Sequence, residues 1–210
     1  MEKSIESIWK EGFLKNDALL VPKLNNLYNQ KSTHIVDKFK RMFKINLRAI
    51  VIGSFIVLIA SFLVGIPVMG VLLFFLCNGL VIVNVKLLKG LEKINKNVSS
   101  YEYLKSFRDW LKEQISINRK MAGFYYPYIF LAMILGFWFS DFIQEEILGN
   151  PHQIYLVNGI PVYWTISILL ITCLLAIFGG RMYTWEVGVF YGNVINKLEE
   201  LITDLEELRS

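Results

Sequence analysis

Hydrophobic residues along this chain are gathered in blocks. The longest lies between Arg48 and Lys86, where 37 residues pass without an Asp, Glu, Lys, Arg or His. As one straight helix it would run roughly 55 Å at 1.5 Å per residue, well beyond the ~30 Å of a bilayer core. Its midpoint, Gly65-Ile66-Pro67-Val68-Met69-Gly70, carries Gly and Pro punctuation. The pattern predicts a tight hairpin of two spans, about 49–65 and 70–86. Two later blocks predict a third span from Gly123 to Asp141 and a fourth over 162–180. The fold class expected is an all-α polytopic membrane bundle of four transmembrane helices, with helical extensions outside the bilayer.

Between the blocks the period is helical. In 1–48, Ser4 suits the cap of a short helix carrying Ile5, Ile8, Trp9 and Phe13 on one side. Asn16-Asp17 is expected to break it, Pro22 to open a second helix with Leu24, Leu27 and Tyr28, and Ser32 or Thr33 to cap a third that runs into span one. Residues 87–122 read as a helical hairpin. Leu87, Leu88, Leu91 and Ile94 continue span two, then Ser99 to Glu102 forms a capping box before a stripe of Leu104, Phe107, Leu111 and Ile115. Residues 181–210 read as an amphipathic helix in which Val194, Leu198, Leu201, Leu205 and Leu208 repeat at coiled-coil spacing. Segments 123–141 and 162–180 enclose a loop, 141–162, with the turn signals Asn150-Pro151 and Asn158-Gly159.

Charge orients this layout. Of the 22 Lys and Arg, ten lie in 1–48, nine in 86–120 and three in 181–210. The loop 141–162 carries Asp141, Glu145 and Glu146 and no basic residue. Cytoplasmic loops are the ones enriched in Lys and Arg, so both termini and the 87–122 hairpin are expected inside. Tyr125, Tyr126 and Tyr128 at one end of span three and Trp138 at the other make interfacial belts. The basic residues flank spans and are mixed with acids, which argues against nucleic acid as partner. The first apolar block is too late and too long for a signal peptide. Cys77 and Cys173 fall inside apolar runs and read as buried thiols. The chain is 54% hydrophobic, more than soluble domains usually are.

The residues hold little sign of chemistry. His34 and His152 are predicted on opposite sides of the membrane, so no metal site is expected from them. No phosphate loop or zinc-protease motif occurs, and no catalytic residue or cofactor is expected. No predicted span core holds an ionisable residue, the usual mark of an ion pathway. Asn78 and Asn84 are the polar groups of span two, and buried Asn commonly bridges helices. Ser61 and Gly65 are small and four apart, which permits close helix approach. Arg181 and Glu186 are a candidate ion pair at the inner boundary. Trp9, Phe13 and Trp110, with Leu198, Leu201 and Leu205, are candidates for binding a partner or packing the bundle; Trp185 is a further exposed aromatic.

The stretches Ser7-Ile8-Trp9-Lys10, Pro22-Lys23-Leu24 and Gln30-Lys31-Ser32, followed by a basic helix running into the first span, resemble a group of small four-span inner-membrane proteins of Gram-negative bacteria. These are often encoded beside extracytoplasmic-function sigma factors. The resemblance covers about a quarter of the chain by motif and the whole by span layout. It implies a bacterial inner-membrane location and a sigma-factor-like soluble partner in an anti-sigma-like role. The His-x-x-x-Cys-x-x-Cys motif of the zinc-binding anti-sigma domains is absent from this sequence, and no catalytic residue carries over. The expected function is therefore a membrane regulatory or interaction protein whose cytoplasmic helices bind a soluble partner. The alternatives are a structural protein that homodimerises along Leu198–Leu208, and a small transporter or channel.

Overall fold

The computed structural model describes residues 5–95, 98–141, 145, 156–157 and 160–207, with side chains from Tyr28 onward except at 156–157 and 160–161. Four helices account for nearly all of it: α1 Ile5–Leu63, α2 Pro67–Leu91, α3 Ser100–Trp138 and α4 Val162–Glu207. Each is long and apolar enough to cross a membrane. The protein is an all-α four-helix bundle and reads as an integral membrane protein. Two short strands, β1 Leu156–Val157 and β2 Ile160–Pro161, pair antiparallel just before α4, on either side of the Asn158-Gly159 turn signal.

The hairpin between α1 and α2 forms where the punctuation predicts. Gly65 has φ +80, a left-handed conformation that costs glycine no Cβ clash. The Ile66 amide donates to the Ser61 carbonyl at 2.9 Å and the Gly65 amide to Phe62 at 3.4 Å. Together they satisfy carbonyls that the helix end leaves open, in a Schellman pattern. Pro67 then starts α2 at a position where its missing N–H is no loss. Gly65 serves the turn, not the helix contact expected of it: a Cβ there meets nothing within 4 Å. Ser61 instead packs against Gly70.

The helices run longer than the breaks in the sequence suggest. α1 is one helix, not three. Asn and Asp cost a helix interior only a few tenths of a kcal/mol each, and Ser32 does not cap anything: its hydroxyl donates back to the Tyr28 carbonyl at 2.6 Å within the helix. Gly179-Gly180, at the expected inner end of span four, likewise does not interrupt the helix: α4 continues to Glu207. These glycines let α3 come close: a Cβ on Gly179 would stand 2.6 Å from the Ala122 carbonyl oxygen. At the start of α3 the cap is as expected, with the Ser99 hydroxyl accepting from the Glu102 amide at 3.3 Å.

The buried core lies at the charged end of the bundle. It joins Ile35, Phe39 and Phe43 of α1, Leu88 and Leu91 of α2, Leu104, Phe107 and Leu111 of α3, and Val194, Leu198 and Ile202 of α4. The three extramembrane segments therefore pack on one another. Toward the other end the side chains are mostly outward and apolar, such as Ile52, Phe55, Ile59, Phe75, Leu169 and Ile177. In a bilayer such residues face lipid, so burial within the protein is not required of them.

Candidate polar site at the membrane boundary

Where the apolar segments meet the charged end of the bundle, α2 and α3 are joined by three amides. The Asn84 carbonyl oxygen accepts from Gln114 Nε2 at 2.9 Å and from Asn118 Nδ2 at 3.0 Å. Its own Nδ2 donates to the Leu80 carbonyl at 2.9 Å. All three residues are buried. Buried polar groups are costly unless hydrogen-bonded, and this cluster nearly closes that account; the Gln114 Oε1 alone is buried without a partner. Asn84 thus bridges helices as its sequence position predicts. So does Asn78, deeper in the span, which donates to Ser54 Oγ on α1 at 3.1 Å and to the Phe74 carbonyl at 2.8 Å.

Beside the amides a cavity of about 250 Å³ opens among all four helices, with Asn46, Asn84, Asn118, Tyr125, Tyr183 and Glu186 among its polar walls. Asn46 Nδ2 donates across it to the Tyr191 hydroxyl at 3.1 Å. Glu186 brings a carboxylate, and no Lys, Arg or His lines the space. Next to it the Tyr126 hydroxyl is buried and lies close to both Tyr125 and Glu186, yet it makes no bond of good geometry. Such walls can hold a small group rich in hydrogen-bond donors or bearing positive charge. Among the described residues, no cluster of His, Cys, Asp and Glu has the arrangement of a metal site.

Arg181 and Glu186 do not form the expected ion pair. Five positions apart on one continuous helix, they point about 140° from each other. Glu186 faces the cavity, while the Arg181 guanidinium lies 5.5 Å from the Phe178 ring in the outer groove between α3 and α4.

The packing candidates fall inside the molecule. Leu198 is 1% exposed and Leu201 8%, both in the core, and Leu205 packs against it. A dimer seam through these leucines would have to displace contacts already made within the chain; Leu208 lies outside the described residues. Trp110 stacks on Phe107 with centroids 5.9 Å apart and donates its indole N–H to the Leu87 carbonyl at 3.3 Å. It is a bundle residue. Trp185, by contrast, is 72% exposed, and Val189 and Phe190 beyond it are exposed too, so the apolar face of α4 extends past Arg181. The side chains of Trp9 and Phe13 lie outside the described residues, as do His152 and Glu146.

Gln114 and Asn118 are not among the sequence candidates, although a signal for them exists. Leu104, Phe107, Leu111, Gln114, Asn118 and Ala122 recur at three and four and are all buried on one face of α3. The stripe continues after its apolar letters stop. Comparison with protein families, curated proteins and solved structures finds no match.

Proposed function

We propose that this is a multi-pass protein of a bacterial inner membrane, with both termini and the packed bundle in the cytoplasm, whose N-terminal chain holds a soluble protein partner at the membrane. The orientation follows from the charge: all 22 Lys and Arg fall in the segments that flank or form the bundle.

The observation that supports the partner reading is how the other cytoplasmic segments spend their apolar stripes. Ser100 donates to Asn29 Oδ1 at 2.8 Å, and the Tyr101 hydroxyl donates to Glu206 at 3.0 Å. The start of α3 thus meets α1 at Asn29 and the end of α4 at Glu206. The apolar stripes of the other cytoplasmic segments are used up in the core, including Trp110, Leu198 and Leu201. The remaining stripe of the cytoplasmic sequence, Ile5, Ile8, Trp9 and Phe13, carries two large aromatics of the kind that anchor protein partners. A sigma-factor-like partner in an anti-sigma-like role is the narrow form of this reading.

The test is affinity purification of the full chain in mild detergent beside the double variant W9A/F13A. A cytosolic protein should co-purify with the native chain and be lost from the variant, and its identity decides the narrow form. Recovery of no cytosolic protein, or equal recovery with both chains, would refute the reading.

A further inference from the structure

A groove of about 560 Å³ opens between α3 and α4 on the outside of the bundle, level with the polar site. Its walls include Ser116, Arg119 and Lys120 of α3 and Ile177 and Arg181 of α4. Three cations therefore line it, and no carboxylate does. Neither Arg119, Lys120 nor Arg181 makes an ion pair with a described acid. The floor is made by small residues. A Cβ on Gly180 would stand 3.1 Å from Arg119 Cγ, and one on Gly123 would stand 3.3 Å from the Ala176 carbonyl oxygen. The glycines bring the helices together and let the Arg119 stem lie across α4. The Phe178 ring faces the Arg181 guanidinium and helps to fix it.

The upper wall is different. Ile177 is 72% exposed and Phe178 is also exposed, and both belong to the face of α4 that a bilayer would cover. One groove thus joins a patch of positive charge to a lipid-facing apolar strip at the boundary. Long basic side chains at helix ends hold their charge at headgroup level while their stems stay on apolar surface. Basic pockets between transmembrane helices are suited to anionic headgroups.

We propose that this groove binds the phosphate headgroup of an anionic phospholipid, its acyl chain lying along Ile177 and Phe178. Arg119 and Arg181 hold the phosphate from the two helices, and Lys120 adds charge. A zwitterionic lipid brings its own ammonium to three cations and is disfavoured. The seat also bridges α3 and α4, so an occupied groove resists their separation. The inference needs only that the chain spans a membrane and does not depend on a soluble partner.

Native mass spectrometry of the full chain from a neutral detergent tests this, with phosphatidylglycerol, phosphatidylcholine or inorganic phosphate added. Phosphatidylglycerol should be retained as a one-to-one adduct and should raise the thermal midpoint; phosphatidylcholine should do neither. The double variant R119Q/R181Q should weaken retention about thirtyfold, at about fivefold per charge lost. R119K/R181K should keep most of it, and K105Q, a cation elsewhere on α3, should keep all of it. Should R119Q/R181Q not fold, the lipid preference of the native chain and the single variant K120Q, expected to cost about fivefold, carry the test. Equal retention of the two lipids, undiminished retention by these variants, or displacement of the lipid by millimolar inorganic phosphate would overturn the proposal.

Discussion

Asn84 accepts a hydrogen bond from Asn118 at 3.0 Å across the interface of α2 and α3, through the oxygen that also serves Gln114. One atom therefore satisfies two buried donors from the neighbouring helix. Asn84→Ala should leave Gln114 Nε2 unpaired and Asn118 Nδ2 with only the Gln114 carbonyl, and cost about 1–3 kcal/mol, the usual penalty for an orphaned buried group. The triple variant N84L/Q114L/N118L removes the donors along with the acceptor and should regain most of that loss. Thermal unfolding in one detergent, with tryptophan fluorescence as readout, compares the two. A triple variant less stable than Asn84→Ala would show that the amides contribute more together than as a satisfied pairing.

The α1–α2 hairpin separates two uses of glycine. Gly65 sits at φ +80 with open space around the missing Cβ, so the cost of a side chain there is conformational alone. Gly65→Asn should be tolerated and Gly65→Val should cost more than Gly65→Ala, because β-branched residues are poorest in the left-handed region. At Gly70 the backbone is ordinary, but an added Cβ would collide with Ser61, and it would stand 3.3 Å from Leu58 Cα. Gly70→Ala should lose about 1–3 kcal/mol by overpacking, and S61G/G70A should recover part of it. Midpoints of thermal unfolding rank the series.

Much of this fold is legible in the letters. The charge-free block with Gly65 and Pro67 at its centre yields a hairpin because both residues have steric meanings that do not depend on tertiary contacts. The Ser99 cap is equally local. What is not legible depends on neighbours. Gly179-Gly180 looks like a helix end, since glycine favours ends, but its purpose is to admit the Ala122 backbone, which no local rule reveals. Arg181 and Glu186 look like a pair only if the helix stops between them. Once it continues, its 3.6-residue period turns them apart, one to a cavity and one to an outer groove. Gln114 and Asn118 occupy core positions with polar letters, and a search for apolar stripes passes over them. The cavity needs all four helices at once and has no signature in any single stretch.

The placement of charge makes a prediction about sidedness. In a chain with Cys77 and Cys173 replaced, single cysteines at Ser4, Lys93 and Ser210 should react with a membrane-impermeant thiol reagent only after the cells are opened. One at Gln153 should react in intact spheroplasts. Labelling of Ser4 and Ser210 on different sides would contradict a bundle of four crossings.

Acid should loosen one join of the bundle in a defined window. Lys40 Nζ of α1 lies 3.0 Å from Glu92 Oε1, where α2 ends. The hydrogen bond and the charge of Lys40 hold the Glu92 carboxyl below its ordinary value. A carboxyl whose folded value is depressed contributes stability that is present above its unfolded value, about 4.3, and is lost as pH falls through the folded one. Glu92→Gln should therefore lower the thermal midpoint slightly at pH 7, and the gap between variant and native chain should close at the acid end of the titration. The effect is small because the pair is exposed and salt screens it. A gap that stayed constant with pH would assign the loss to something other than this charge.

The last prediction concerns Phe39, on which the extramembrane core converges. Its ring lies 5.8 Å from that of Phe43, 5.5 Å from Phe107, 6.0 Å from Trp110 and 5.2 Å from Tyr191. These neighbours come from α1, α3 and α4, so one side chain joins three helices. Phe39 is 2% exposed, and truncating a buried phenylalanine typically costs about 3–5 kcal/mol through lost burial and the cavity left behind. The apolar spans are held by lipid and do not draw on this core, so Phe39→Ala should still insert. It should fail in the charged end alone. Limited proteolysis of membranes with access to that side should cut the variant within 86–120 and 181–210 at protease concentrations that leave the native chain whole. Phe39→Leu, which keeps most of the volume, should fall between the two. Loss of the protein from the membrane fraction, or cutting confined to the hairpin end, would mean that the spans and the core do not fold as separable parts.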